Sequence, residues 1–552
     1  MKVLGISGGY GHDAAAALVE DGRIVTVVEE ERLTRRKHAY GSAPVHAAHY
    51  CLAKAGIRLD DVDVLALSWE PAERSDWPTR LHETMLSHPF FAGARVPDIE
   101  IVGHALSHAS AAFYCSGFAD AAVLTVDGQG DGIATCLGRA SGDKIELEQE
   151  FDIADSLGFF YLALTNHLGF ELGEEGKVMG LASYAEPQAV PLPFELSAEG
   201  YRAIAAPRHP EDPYRRYRGV VAYWRRWCAE QFGEPVPVRY PVSSLTSRAR
   251  ADVELGPAHQ RAAATGQAIL ETTLLHLVRL AVERSGSRRL VIGGGVGLNC
   301  SANGVIERSG LVDELYVFPA SGDAGTGLGA ALAVSAADGE RPWAAVETAS
   351  FGPDYPDDAL LALTHSLGLP AVEAEDVAAD TAALLEQGHV IGWFQGAMEL
   401  GPRALGNRSI LADPGDVGRR IRVNSIKQRE QWRPLAPSLL ASAAGDVVGT
   451  AGRAPFMLTA CPVLDTVRAR IPAVVHVDGT CRPQLVRHET NPRFAELLER
   501  VGGRTGLPVV LNTSFNLAGE PLVCTPLDAI RTFSASPLDA LVLGRTIIRK
   551  QA

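Results

Sequence analysis

Lysine is scarce in this chain. Seven lysines stand among its 51 basic residues, and the other 44 are arginines. With abundant Ala and Gly, that bias fits a GC-rich genome in which exposed lysines drift to arginine. A lysine kept inside a glycine-rich or polar motif is then a candidate functional residue, because a compact ammonium offers what a planar guanidinium does not. The sequence also lacks any apolar run near the roughly 20 residues of a membrane span. None of its eight cysteines form a CxxC pair, which excludes a zinc ribbon. Their scatter is that of a reducing compartment rather than of a disulfide frame. The opening MKVLGISGG carries neither a basic n-region nor a cleavage site, so no signal peptide and a cytoplasmic location are expected. Positive charge is in deficit: the net charge of −15 argues against a nucleic-acid or anionic-membrane partner. What is present is a globular composition, 46% hydrophobic and 21% charged, spread over 552 residues. That length is too great for a single core.

Two stretches read alike. VLGISGGYGHDAAAALVEDGRIVTVVEEE from Val3 and VLTVDGQGDGIATCLGRASGDKIELEQEF from Val123 both run strand, glycine turn, strand, short turn at Gly22 or Gly142, strand. Residues 158–185 read as helical and glycine-punctuated, and 200–250 as rich in Arg, Tyr, Trp and Pro with weak periodicity. A long amphipathic helix is predicted around Gln260–Ser285, and another over 358–388. A Pro/Gly/Asp stretch near 340–357 marks a boundary at about 350.

The first strand of each copy ends in a glycine turn, Ser7-Gly8-Gly9 with His12 and Asp13 beyond, and Asp127-Gly128-Gln129-Gly130-Asp131. Facing turns in a duplicated unit suit nucleotide phosphates: glycine backbone approaches oxygens closely and an acid can hold a metal. This is the signal of an actin/hexokinase/Hsp70-like ATPase fold. His104 and His108, at i and i+4 in HALSHAS, share one helical face as a metal needs; alone, they read equally well as two helix histidines at a partly exposed surface. Asp127 at a strand end and Asp323 in SGDAGTG complete a nitrogen/oxygen set suited to Fe(II), Mn(II) or Zn(II). Gly294, Gly295 and Asn299 in GGGVGLN follow a strand and suit a base or ribose. Lys177 in EGKVMG suits a phosphate or acyl anion, with a surface salt bridge as the alternative. In QGAMELGPRALGNRSILADP and NSIKQREQWRPLAPS, Arg403, Arg408, Lys427, Arg429 and Arg433 gather in an otherwise acidic chain. That reads as an anion site, the alternative being a solvated charge run. Asn512, Ser514 and Asn516 form a further polar turn.

Together GHDAAAAL, HALSHAS, VDGQGDG, EGKVMGLASY, GGGVGLN, SGDAGTGLGAA, MELGPRALGNRSILADP, KQREQWRPLAPS and NTSFNLAGEP resemble the NodU/CmcH family of O-carbamoyltransferases, from Val3 to about Leu543. The resemblance implies an α/β protein of two domains. Residues 1–350 are similar to a TsaD-type ATPase-fold domain and 351–552 to the YrdC domain. It implies that carbamoyl phosphate and ATP, with Mg(II), become carbamoyl-AMP in the second domain. The carbamoyl group then passes to a hydroxyl of a natural product, such as an antibiotic, in the first. The family's iron-type ligands fall on His104, His108, Asp127 and Asp323. His12 with Asp13 falls near the carbamoyl and acceptor oxygens, and Arg403, Lys427 and Arg433 where the adenylate forms. Gly128, Gln129, Gly130, Lys177, Gly294, Gly295 and Asn299 are expected at the nucleotide in the first domain. Arg408, Arg429, Asn512, Ser514 and Asn516 are expected there in the second. Acceptor binding is suspected in 186–255, and a homodimer is left open. A tRNA threonylcarbamoyl-adenosine enzyme would need a basic surface, which −15 opposes. A hydrogenase-maturation enzyme would need paired CxxC motifs. An actin/Hsp70-like ATPase switch would leave the Arg/Lys-rich second half unexplained.

Overall fold

A computed structural model describes residues 1–8, 11–68, 81–208, 213–237, 255–340, 345–449 and 454–550. They form two compact units, the second beginning at Glu347.

The first unit holds the repeat. Its leading sheet contains β1 (Lys2–Ser7), β2 (Ala15–Glu20), β3 (Arg23–Glu29), β4 (Val64–Leu67) and β5 (Asp98–Ile101), in the order β3-β2-β1-β4-β5. The second contains β6 (Asp120–Gly130), β7 (Ile133–Ser141) and β8 (Lys144–Asp152), joined after the small hairpin β9 (Phe194–Ser197) and β10 (Gly200–Ala203) by β11 (Arg289–Gly293) and β12 (Glu314–Val317). Its order is β12-β11-β6-β7-β8. Read from the meander outward, both sheets are an antiparallel three-strand ribbon whose first strand is extended by two parallel strands. A central strand buried on both faces needs near-continuous apolar side chains. VLGI in β1 and AAVLTV in β6 supply them.

Small residues draw the helices close. Helix Thr326–Ala337, TGLGAALAVSAA, lies against both β1 and helix His104–Tyr114. A Cβ on Gly5 would stand 1.9 Å from the Gly327 carbonyl oxygen, and one on Gly329 only 1.8 Å from that of Ser107. Beyond β8, helices Leu157–His167 and Glu175–Ala182 are separated by the left-handed Gly169 and Gly173. The stretch that reads as weakly periodic contains a 20-residue helix, Pro213–Phe232. Its buried stripe is Val220, Trp224 and Cys228, every fourth residue, and the arginines between them dilute the pattern. The long helix runs Pro257–Ser285.

The second unit is built on eight strands: β13 (Ala371–Glu373), β14 (Ile391–Phe394), β15 (Arg408–Ala412), β16 (Ala436–Leu440), β19 (Gln484–Val486), β20 (Val509–Ser514), β21 (Ala540–Leu543) and β22 (Thr546–Arg549). Their order is β13-β22-β21-β14-β15-β20-β16-β19, and β17 (Cys461–Pro462) pairs separately with β18 (Thr480–Cys481). Trp393, Phe494, Leu497 and Val542 are among its core residues. The helix predicted over 358–388 is two helices, Asp357–Ser366 and Val377–Glu386, flanking β13. Gly368 takes φ +62°, and Pro370 has no N–H to continue the first helix. The fold class is α/β: a duplicated pair of five-stranded sheets followed by a unit built on an eight-stranded mixed sheet.

Candidate active site

The candidate site of the first unit starts at a break in a strand ladder. β6 pairs with β7 up to Val126 and resumes only at Gly130, so Asp127, Gly128 and Gln129 bulge out of the sheet. Bulges of this kind re-aim a side chain. Asp127 uses Oδ1 to accept the Gly295 N–H at 2.9 Å. Its Oδ2 faces the histidines, 3.3 Å from His104 Nε2 and 3.5 Å from His108 Nε2. His104 opens its helix, and its backbone N–H donates to Asp131 Oδ2 at 2.7 Å. A Cβ on Gly130 would sit 1.9 Å from the His104 ring, so glycine there makes room for the imidazole. Asp323 opens a short turn before helix Thr326–Ala337, and its Oδ1 is 3.6 Å from His104 Nε2 and 3.7 Å from His108 Nε2.

One ligand atom from each of the four lies within 4.8 Å of every other, and the two Nε2 atoms are 2.9 Å apart. Donors bound at about 2.0–2.2 Å to one ion stand roughly 3.0–3.5 Å from each other, so the set fits a single divalent metal. With two imidazoles, two carboxylates and no thiolate, it suits the Fe/Mn/Zn class without selecting among them.

The electrostatics are those of an anionic seat. Burial pushes the Asp323 carboxyl up, and the Asp127 charge pushes it further. Burial also opposes ionisation of Asp127, but hydrogen bonds from His104 and His108 outweigh it and hold that carboxyl well below its usual range. At His104, burial disfavours the cation, yet the Asp127 bond and the nearby carboxylates win and raise the pKa to about 9. His12 lies at the edge, its Nδ1 3.0 Å from Asp13 Oδ2 and 4.0 Å from Asp323 Oδ2. The Asp13 hydrogen bond, with the charge of Asp323, raises its pKa to about 9 against the cost of burial. The surrounding carboxylates therefore favour the His12 imidazolium; a metal on Asp127 and Asp323 would offset their share of that shift.

Gly128 accepts a hydrogen bond from Ser156 at its carbonyl, 2.6 Å, while Gln129 is exposed. Gly294 takes φ +93°, and its Cβ would meet the Val126 carbonyl at 2.2 Å; with Gly295 it lets the chain lie against Asp127. Asn299 is buried, caps helix Cys300–Arg308 through Ala302 N–H, and exchanges amide hydrogen bonds with Gln267. Lys177 is buried rather than at the surface; its Nζ pairs with Glu174 at 2.9 Å and lies over the Phe170 ring. Gly9 and two parts of the suspected acceptor segment, 209–212 and 238–254, lie outside the described residues.

In the second unit the arginine-rich motif divides. Glu399 Oε1 accepts the N–H groups of Leu405, Asn407 and Arg408 at 2.8, 2.7 and 3.1 Å. Arg408, fully buried, stacks on Phe394 and donates to the carbonyls of Gln395, Gly396, Asn407 and Pro353. Its Nη groups are spent inside the fold, which departs from the expected ligand role. Asn512 likewise turns its amide to Ala404 O and Ser438 Oγ within the sheet. Lys427 comes together with Ser514 and Asn516: its Nζ reaches both side chains and both carbonyls, all neutral oxygens. Arg429 donates Nε to Asn424 at 2.7 Å, while its Nη2 is buried and makes no hydrogen bond among the described residues. Burial first, then the charges of Arg433 and Arg482, holds its pKa well below the usual arginine value. Arg482 thus joins a cationic cluster that is not apparent from the motif itself, because it lies some 50 positions from the rest of it. Arg403 is half-buried beside Ala404.

The repeated sheet pair and the four-residue donor set define an α/β protein with a candidate divalent-metal seat. Family models described as carbamoyltransferase N-terminus match residues 2–83 and 79–332, and carbamoyltransferase C-terminus matches 382–550. An uncharacterized protein of Synechocystis sp. is 36% identical over 622 residues, covering 100% of this chain and 97% of its own length. Nodulation protein NolNO of Sinorhizobium fredii is 36% identical over 589 residues, covering 100% of this chain and 83% of that protein. Nodulation protein NolO of Bradyrhizobium diazoefficiens is 36% identical over 461 residues, with 82% and 79% covered. The chain belongs to the NodU/CmcH carbamoyltransferase family and is a carbamoyltransferase. No described helix is long and apolar enough to cross a membrane.

Proposed function

We propose that this carbamoyltransferase works in two half-reactions, with carbamoyl phosphate and ATP as donors and the hydroxyl of a natural product, an antibiotic for example, as acceptor. In the second unit, water hydrolyses carbamoyl phosphate to phosphate and carbamate, and the carbamate oxygen then attacks the α-phosphorus of ATP, displacing pyrophosphate to give carbamoyl-AMP. In the first unit, the acceptor oxygen attacks the carbamoyl carbon, AMP leaves, and the hydroxyl proton passes to a base. Adenylation is needed because carbamate is a poor electrophile.

The observation that carries the reading is the convergence of His104, His108, Asp127 and Asp323 on one point. A divalent ion held there, Fe(II) by the family's habit, would supply Lewis-acid stabilisation of the charge that develops on the carbamoyl oxygen. His12 stands at the edge of this seat. Once its imidazolium is discharged, it is placed to take the acceptor proton, a role worth about 10²–10⁴-fold. In the second unit, Arg429, Arg433 and Arg482 concentrate positive charge, and Arg403 and Lys427 belong to the same motif. Charge-assisted bonds to phosphate oxygens suit such a cluster, with Mg(II) accompanying the ATP.

The test is carbamoyl-phosphate-dependent exchange of pyrophosphate into ATP, followed by incubation with hydroxylated natural products and a mass reading of the carbamoyl increment. Exchange is expected with wild type and with His12→Asn, while the latter fails to carbamoylate. Absence of exchange under turnover conditions overturns the two-step reading.

A further inference from the structure

A second group of donors converges beside the first: Asp13, Glu31 and His38. Its carboxylate oxygens already have protein donors. Asp13 Oδ2 faces His12 Nδ1 at 3.0 Å and Oδ1 faces His38 Nδ1 at 2.8 Å. Glu31 Oε1 pairs with Arg32 Nη1 at 2.7 Å, and Oε2 accepts the His38 backbone N–H. With every oxygen engaged and a guanidinium in place, the cluster is a hydrogen-bond chain rather than a second metal seat. It runs His38–Asp13–His12 and ends at the edge of the tetrad.

The backbone around it is held in a costly shape. Asp13, His38 and Ala39 all have left-handed φ, 55°, 61° and 41°, which non-glycine residues adopt only where the surroundings impose it. Two main-chain bonds lace the segments, Asp13 N–H to His38 O at 2.7 Å and Gly41 N–H to Gly11 O at 2.9 Å. The His38 ring is clamped as well. A Cβ on Gly173 would stand 2.6 Å from its Nε2, and the Tyr40 ring lies 5.5 Å away. Because a carboxylate oxygen only accepts, the Nδ1 that faces Asp13 carries the hydrogen, which fixes the ring's orientation. A carboxylate held at both oxygens can turn neither way.

We propose that His38 is a positioning residue for the transfer step, orienting Asp13 and through it His12. The inference rests on the reading of His12 as the group that takes the acceptor proton. With His12 Nδ1 engaged by Asp13, Nε2 is the atom left for the acceptor, and a loosened Asp13 would let the ring swing off line. Outer-shell partners of this kind typically matter roughly ten- to a hundredfold in activity.

His38→Phe keeps a planar ring and removes the donor, whereas His38→Asn keeps an amide N–H near the Nδ1 position. We expect His38→Phe to lower kcat for acceptor carbamoylation roughly ten- to a hundredfold, with KM for the acceptor, metal content and pyrophosphate exchange unchanged. His38→Asn is expected to restore most of that rate. Wild-type turnover in His38→Phe overturns the inference, and so do Asn and Phe variants that are equally slow. If the Phe variant does not fold, His38→Ala with added imidazole takes its place: recovered kcat supports the chain, and no recovery overturns it. His12→Asn, assayed alongside, separates the two claims. Wild-type transfer in His12→Asn removes the base reading itself, while slow His12→Asn with fast His38→Phe removes only the role of His38.

Discussion

Asp127 divides its carboxylate, one oxygen on the Gly295 N–H and the other on the histidine pair. Asp127→Asn can keep the first contact and loses the anion that faces the second. We expect metal affinity to fall by roughly tenfold or more with the fold intact, read by metal analysis and circular dichroism. The raised pKa of His104 adds a pH dependence. Below about 9 the metal-free imidazole holds a proton, which a metal must displace. Apparent metal affinity should therefore rise with pH toward about 9, with proton release measurable in a weakly buffered titration. For the metal-free chain the sign is reversed: the contribution of the His104–Asp127 pair is full below the unfolded value near 6.5 and is lost as pH rises through about 9. Metal affinity that is flat or falls across that window would show that His104 does not ligate.

At the scale of elements, the decisive contact is between two helices. Gly329 against the Ser107 carbonyl lets helix Thr326–Ala337 reach helix His104–Tyr114, and the same packing carries Asp323 to the histidines. Gly329→Ala must push them apart. We expect a cost of about 1–3 kcal/mol and, unlike an ordinary overpacking change, weakened metal binding as well, measured by thermal unfolding with and without metal. The second unit has its own device in Glu399, which gathers three N–H groups of the loop before β15. Glu399→Gln keeps the shape but removes the charge. Bonds to a charged group contribute about 1.5–3 kcal/mol, so denaturant unfolding should register a loss of that order, and pyrophosphate exchange should decline with it. Strand and helix patterns were legible where burial is one-sided or complete. The motif around Glu399 was legible as special, but residue types do not tell a side chain facing a ligand from one spent on carbonyls, as Arg408 is.

For the whole molecule, two compact units with separate cores should unfold as two calorimetric transitions. A ligand that binds only one native unit stabilises that unit alone, by about 2.7 kcal/mol at a hundred times its dissociation constant. Saturating divalent metal should therefore raise one transition, and His104→Ala should abolish that rise without moving the other. A single transition that shifts as a block would mean that the units do not melt independently.

The sequence by itself determined the duplication and the class of fold, because alternation of apolar strands with glycine turns is a local pattern that repeats in order. It also determined the histidine pair, since a spacing of four puts both rings on one helical face wherever that helix sits. The tertiary structure decided which atoms meet. Only the bulge after Val126 and the close helix packing at Gly329 set Asp127 and Asp323 opposite those rings. Only long-range contacts turned Arg408, Asn299 and Asn512 inward and brought Arg482 to Arg429. The physical reason is that a hydrogen-bonding side chain of given type satisfies itself on whatever oxygen or N–H folding brings within about 3 Å, and for Asn299 and Asn512 that partner lies on a distant segment of the chain.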